Sequence, residues 1–185
     1  AIHLLRQDHP TLPIVGVEPD IKPAVALSRT RRIGVMATRG TLASQKFKAL
    51  LDSLSGQAQF LCQPCDGLAD AIERHDATQI KALCSGYTAA IGQFGLEDGA
   101  IDTLVLGCTH YPFASRQLRD LVGPDVHLVD NGSPVARQTR RVATPLSDSS
   151  QIGRTSLLTT GDPRLLTQAA DRWLDLNLPA EAIAQ

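Results

Sequence analysis

Short apolar runs that alternate with amphipathic stretches constrain this chain more than any other feature. The runs are LPIVGV (Leu12 to Val17), RIGVMA (Arg32 to Ala37), AQFLCQ (Ala58 to Gln63), DTLVLG (Asp102 to Gly107), VHLVD (Val126 to Asp130) and TSLLTT (Thr155 to Thr160). Several are apolar at consecutive positions, the pattern of strands covered on both faces. Between them, TLASQKFKALLDSL from Thr41 puts Leu42, Phe47, Leu50, Leu51 and Leu54 on one helical stripe. DATQIKALCSGYTAAIGQFG predicts a second helix, with Asp76 as N-cap and Gly95 as stop. DPRLLTQAADRWLDL predicts a third, with Asp162 at the N-cap and Pro163 in the first turn. Parallel strands need long crossovers, and helices both provide them and cover the sheet. The fold class is therefore α/β, with largely parallel sheets and helices on both faces.

Composition narrows the partners. The 185 residues carry a formal net charge of −1, so no global field draws the chain to nucleic acid or an anionic membrane. SRTRR (Ser28 to Arg32) is a basic cluster without interleaved aromatics, expected to be a solvated loop entering the next strand. No apolar run is long enough to span a bilayer, and AIHLLRQDHP lacks the pattern of a signal peptide. Four cysteines at this length suggest reduced thiols rather than a disulfide scaffold, so the expectation is a soluble protein of the cytoplasm.

Ligands of open α/β sheets sit at the carboxyl ends of the strands. There the chain has GVEPD, ATRGT, GCTHYP and DNGSP. Thr38, Gly40 and Thr41, like Asn131, Gly132 and Ser133, are candidates to present hydroxyls or amides to a carboxylate. Taken singly, each is an ordinary helix cap. ATRGT lacks the glycine spacing and lysine of a Walker A loop, and no G-x-G-x-x-G follows a strand, so no nucleotide site is inferred. His3, His9, His75 and His127 are scattered and read as surface or packing residues.

Two cysteine constellations compete. CQPC (Cys62 to Cys65) is expected just after a strand and before a helix beginning near Gly67, a junction where a helix N-terminus lowers a thiol pKa in redox centres, but DGLAD shows no strong helix start. Cys84 falls inside an amphipathic helix, as a core residue would. The second constellation is Cys108-Thr109-His110. Gly107 permits close approach, polar Thr109 and His110 require partners if buried, and Pro112 suits the first turn of a following helix. A reactive thiol flanked by hydrogen-bonding groups fits this pattern.

LVLGCTHYPF resembles the second cysteine motif of glutamate racemases, within the aspartate/glutamate racemase superfamily. The likeness runs through IVGVEPDIKPAV, IGVMATRGTLAS, VDNGSPVARQTRR and LLTTGDPRLLTQAADRWL in the family's order. It implies a cofactor-independent isomerase that interconverts L- and D-glutamate for peptidoglycan synthesis, without metal, as two pseudo-symmetric α/β domains. A homodimer is compatible with it. In the family one thiolate removes the α-proton and a second thiol returns one on the opposite face. A thiol suits both roles, because its reference pKa of about 8.5 lies near neutrality. Carried over, Cys108 is one of the two bases, with His110 tuning it. Thr109, His110, Thr38 and Thr41 contact substrate, and Glu73 in DAIER resembles the acid that orients the histidine.

The family's D-S-G, P-Y-G and C-N-T motifs do not occur here, and none of Cys62, Cys65 and Cys84 has a C-N-T context. The resemblance thus implies an incomplete first domain (residues 1–19 and 130–185), a complete second domain (20–129) and little turnover by the chain alone. Three alternatives stand beside it. They are an aspartate or other amino-acid racemase of the superfamily, a thiol-disulfide oxidoreductase using Cys62 and Cys65, and a non-catalytic binding module.

Overall fold

The computed structural model describes residues 2–146 and 153–184. They fall into two units, Ala1–Pro145 and Leu146–Gln185. The first begins with helices α1 (Ile2–Asp8) and α2 (Ile21–Leu27). Strand β1 (Arg32–Ala37), helices α3 (Arg39–Ala43) and α4 (Gln45–Ser53), and strand β2 (Gln59–Pro64) follow. Next come α5 (Leu68–Glu73), α6 (Ala77–Ile91), β3 (Thr103–Leu106), α7 (Ser115–Val122), β4 (His127–Val129) and α8 (Gly132–Ala143). The strands form one parallel sheet in the order β2-β1-β3-β4.

The continuous apolar runs become strands because both faces of this sheet are covered. Every residue from Ile33 to Ala37 is buried, as are all four of Thr103–Leu106. On one face Ile33, Val35, Val105 and Val129 pack with Ile21 and Ala24 of α2 and Phe47 of α4. On the other, Gly34 lets α6 come close: a Cβ there would stand 3.1 Å from Leu104 Cδ1 and 3.2 Å from Ile91 Cγ2. Burying one such aliphatic side chain contributes about 1.5–3 kcal/mol. An exposed ion pair such as Arg74–Asp70 contributes about 0–1 kcal/mol, so the sandwich and not the surface charge holds the sheet.

Asp102 closes the amino end of the sheet. Only 1% exposed, its carboxylate accepts from Ser28 Oγ (2.6 Å), the amides of Arg29 (2.6 Å) and Thr30 (2.9 Å), and Thr103 Oγ1 (3.0 Å). Burial alone would raise its pKa; these hydrogen bonds outweigh burial and hold it below the ordinary carboxylate range. The basic SRTRR loop therefore wraps a buried anion through Ser28, Arg29 and Thr30, while the residues Arg29 and Arg31 are exposed.

Local structure departs from the sequence expectation in four places. Leu12–Val17 joins no sheet, since an apolar run becomes a strand only where a neighbour accepts its hydrogen bonds, and Pro13 has no N–H to give. The stripe from Thr41 to Leu54 is two helices, because Ser44 (φ −66°, ψ 139°) caps α4 by accepting from the Phe47 amide. Helix α6 stops at Gly92, whose φ of 137° suits glycine, and not at Gly95. Pro112 lies in a 3-10 turn, Tyr111–Ala114, that precedes α7.

The second unit holds β5 (Leu157–Thr159) and β6 (Ala180–Ala182) in parallel, joined by α9 (Pro163–Leu174). Asp162 caps α9 by accepting from the Arg164 amide (2.9 Å), and Asp175 ends it at φ 54°. Among the described residues no helix is long and apolar enough to cross a membrane.

Candidate active site

Strand β1 has β2 on one side and β3 on the other, so the chain reverses its direction of winding between β1 and β3. Such a switch point opens a crevice at the carboxyl ends of the two strands, where loops diverge to opposite faces. Thr38 leaves β1 there and Cys108 follows β3. Gly107 lets them sit side by side. Its amide donates to Met36 O at 2.7 Å, and a Cβ on it would come within 2.9 Å of that oxygen and 3.0 Å of Ala37 Cβ.

Past Gly107 the chain turns, with the Tyr111 amide donating to Cys108 O at 3.1 Å. The turn leaves Cys108 and His110 half-buried and Thr109 exposed. Tyr111, fully buried, anchors it, and its hydroxyl donates to Cys65 O beyond the end of β2 (3.2 Å). His110 Nδ1 lies 3.8 Å from Cys108 Sγ and 3.5 Å from Thr109 Oγ1. On the other side of the ring, Nε2 is 2.7 Å from Glu73 Oε1, at the end of α5.

This order sets the proton positions. An ionised carboxylate only accepts, so in a neutral imidazole the proton sits on Nε2 facing Glu73, and Nδ1 presents a lone pair to the thiol. Cys108 can pass its proton to Nδ1, giving a thiolate beside an imidazolium that Glu73 stabilises. On the neighbouring rim, Thr38 Oγ1 accepts from the Thr41 amide (3.2 Å) and lies 2.9 Å from Thr41 Oγ1. The structure thus joins Cys108, Thr109, His110 and Glu73 in one group and Thr38 with Thr41 in a second at the adjacent strand end.

The other cysteines are placed differently. Cys62 lies within β2, and Cys65, beyond the strand's end, is 2% exposed. Burial pushes the Cys65 thiol up to about 12 and that of Cys84 up to about 11, and it raises Cys62 as well. A thiol-disulfide centre needs a lowered thiol pKa, so burial has the wrong sign for CQPC chemistry. All four cysteines are free. Among the described residues no three His, Cys, Asp or Glu side chains cluster as metal ligands. Two rim features had no signal in the sequence. One is the Tyr111 hydroxyl bond; the other is an Arg39–Asp66 ion pair (2.5 Å) that bridges the ends of β1 and β2.

A doubly wound parallel sheet with a thiol, an imidazole and a carboxylate grouped at its switch point defines an α/β protein with candidate acid–base groups at the strand ends. Comparison with known proteins gives the family. No protein-family model matches the chain. Glutamate racemase of Cupriavidus pinatubonensis is 43% identical over 189 residues, covering 100% of this chain and 67% of the relative. Glutamate racemase of Pseudomonas putida F1 is 42% identical over 170 residues, covering 90% of this chain and 62% of its own length. Among solved structures, glutamate racemase of Francisella tularensis in complex with D-glutamate superposes with a TM-score of 0.75 at 18% identity, covering 100% of this chain and 69% of that one. The chain belongs to the glutamate racemase family. It spans 62% of the length of the Pseudomonas putida relative.

Proposed function

We propose that this chain carries one half of the acid–base machinery of a cofactor-independent glutamate racemase, with Cys108 as the thiol that exchanges the α-proton. The contact of Cys108 Sγ with an imidazole that is itself held by Glu73 carries this reading. Removing an α-proton requires a base whose protonated form can also return a proton, and a thiol whose own proton a neighbouring imidazole can take up or give back serves both. His110 takes up or returns the thiol proton, and Glu73 fixes its tautomer. Thr109, Thr38 and Thr41 receive the substrate's carboxylates and ammonium at the two strand ends. The substrate is glutamate, as in the relatives' names, and the place of work is the cytoplasm, which accords with four free thiols. Asp20–Val129 forms one α/β domain, since it holds all four strands of the larger sheet and every residue of the site; residues 1–19 and 130–185 are assigned to the other. A homodimer is part of the same reading, and light scattering on the purified chain tests it.

Inversion also needs an acid on the opposite face of the substrate. Cys65 and Cys84 are buried thiols and Cys62 lies in β2, so none of them stands ready for that role. The 185-residue chain is therefore expected to invert glutamate only weakly, while Cys108 still exchanges the α-proton of one enantiomer. The test is proton NMR of L- and D-glutamate in heavy water with the chain and its Cys108→Ser variant. Cys108-dependent loss of one enantiomer's α-proton signal supports the proposal; identical spectra with both proteins overturn it.

A further inference from the structure

We infer that Asn131 is a positioning residue for the Cys108 site, because it holds the Glu18–Pro19 connection as a wall over Gly107, at the strand end that leads into Cys108. What the wall serves rests on the racemase proposal; the packing of Pro19 on Gly107 does not.

Asn131 stands at the N-cap of α8, yet its side chain makes no bond to that helix. Its Nδ2 instead donates to Glu18 O at 3.2 Å, joining residues 113 apart in sequence. The residue is 5% exposed, and a buried amide is kept only where a partner repays its lost hydration. Directly after Glu18, the Pro19 ring rests on the strand end: a Cβ on Gly107 would lie 3.5 Å from Pro19 Cγ. Pro19 O accepts from the Ile21 amide (2.9 Å) and the Glu18 carboxylate pairs with Lys46, so the Asn131 amide is one of three holds on this connection, and it is the one that comes from the start of α8. The backbone under that ring is the residue that precedes Cys108.

The neighbouring charges act in the opposite sense. Burial and then the charge of Asp130 raise the pKa of Asp20, with Arg137 offsetting part. Asp20 Oδ2 is buried without a hydrogen-bond partner, and Asp130 Oδ1 is taken by the Gly132 amide (2.8 Å). The connections after Pro19 and after Val129 thus bring two like-charged carboxylates near one another, and the Asn131 amide ties these connections together. The DNGSP motif, which the sequence suggests as a carboxylate-binding rim, thus spends its asparagine on this tie.

The experiment is alkylation of the full chain by iodoacetamide, followed peptide by peptide in a mass spectrometer, with Cys62 as internal reference. Asn131→Ala should raise the Cys108-to-Cys62 rate ratio roughly fivefold, the factor by which losing one net hydrogen bond populates an opened wall. Pro19→Ala should raise it likewise while leaving the buried amide in place, and it decides the matter if Asn131→Ala does not fold. An unchanged ratio in both variants overturns the inference, even if Asn131→Ala melts at lower temperature. A rise in Pro19→Ala alone, with Asn131→Ala folded and unchanged, overturns the role given to Asn131. Loss of the racemase proposal would show separately, as absent Cys108-dependent α-proton exchange in the wild-type chain.

Discussion

Replacing Asp102 tests whether hydrogen bonding to a buried anion holds the sheet's amino end. In Asp102→Ala, the amides of Arg29 and Thr30 lose their acceptor, while the Ser28 and Thr103 hydroxyls can rotate towards other partners. Two stranded backbone donors at about 1–2 kcal/mol each predict a loss of about 2–4 kcal/mol. In Asp102→Asn the amide oxygen can face the two backbone amides, and its NH₂ can donate to the two hydroxyls. Only the charge assistance is lost, and the cost falls to about 1–2 kcal/mol. The carboxyl's folded-state pKa lies below its unfolded value, so its stabilisation is fully present above the unfolded pKa of about 3.9. It fades as pH falls through the folded-state pKa. The gap between wild type and Asp102→Asn should therefore be constant from about pH 5 to 7 and shrink below about pH 4. Urea unfolding followed by far-ultraviolet circular dichroism across this pH range measures all three proteins. Equal losses in Ala and Asn, or a gap that widens in acid, would refute the reasoning.

Glu73→Gln removes the charge that steadies the His110 ring, and it should slow Cys108-dependent α-proton exchange by roughly tenfold with little change in melting temperature, as heavy-water NMR and a thermal scan would show. Gly107→Ala places a methyl 2.9 Å from Met36 O and should cost about 1–3 kcal/mol in urea unfolding as β1 and β3 are forced apart. Because burial pushes the Cys65 thiol up to about 12, it should resist iodoacetamide at pH 8 under native conditions and react only on unfolding, which peptide mass spectrometry resolves.

Much of this fold is local information. Ile33 to Ala37 and Thr103 to Leu106 are apolar or β-branched at nearly every step, and a chain segment buried on both faces must be. Cys108, Thr109 and His110 are adjacent in sequence, so their grouping needed no folding to be seen. Glu73 stands 37 residues from His110, and only the packing of α5 beside the turn at Tyr111 brings the carboxylate to the ring. Leu12 to Val17 has a strand's composition, but pairing is a property of two segments and composition belongs to one. Ser44 interrupts a stripe that reads as one helix because both halves, Leu42 and Phe47 to Leu51, face the same core. The stripe records where the side chains go, whereas the cap records how the backbone turns. The tie from Asn131 to Glu18 spans 113 residues and is written in neither motif. Sequence determined the strands, the helices' buried faces and the thiol–imidazole pair, because these follow from neighbours along the chain. Tertiary structure decided which carboxylate meets the imidazole and which connection packs over the strand end before the thiol, because distant segments meet only when the sheet has formed.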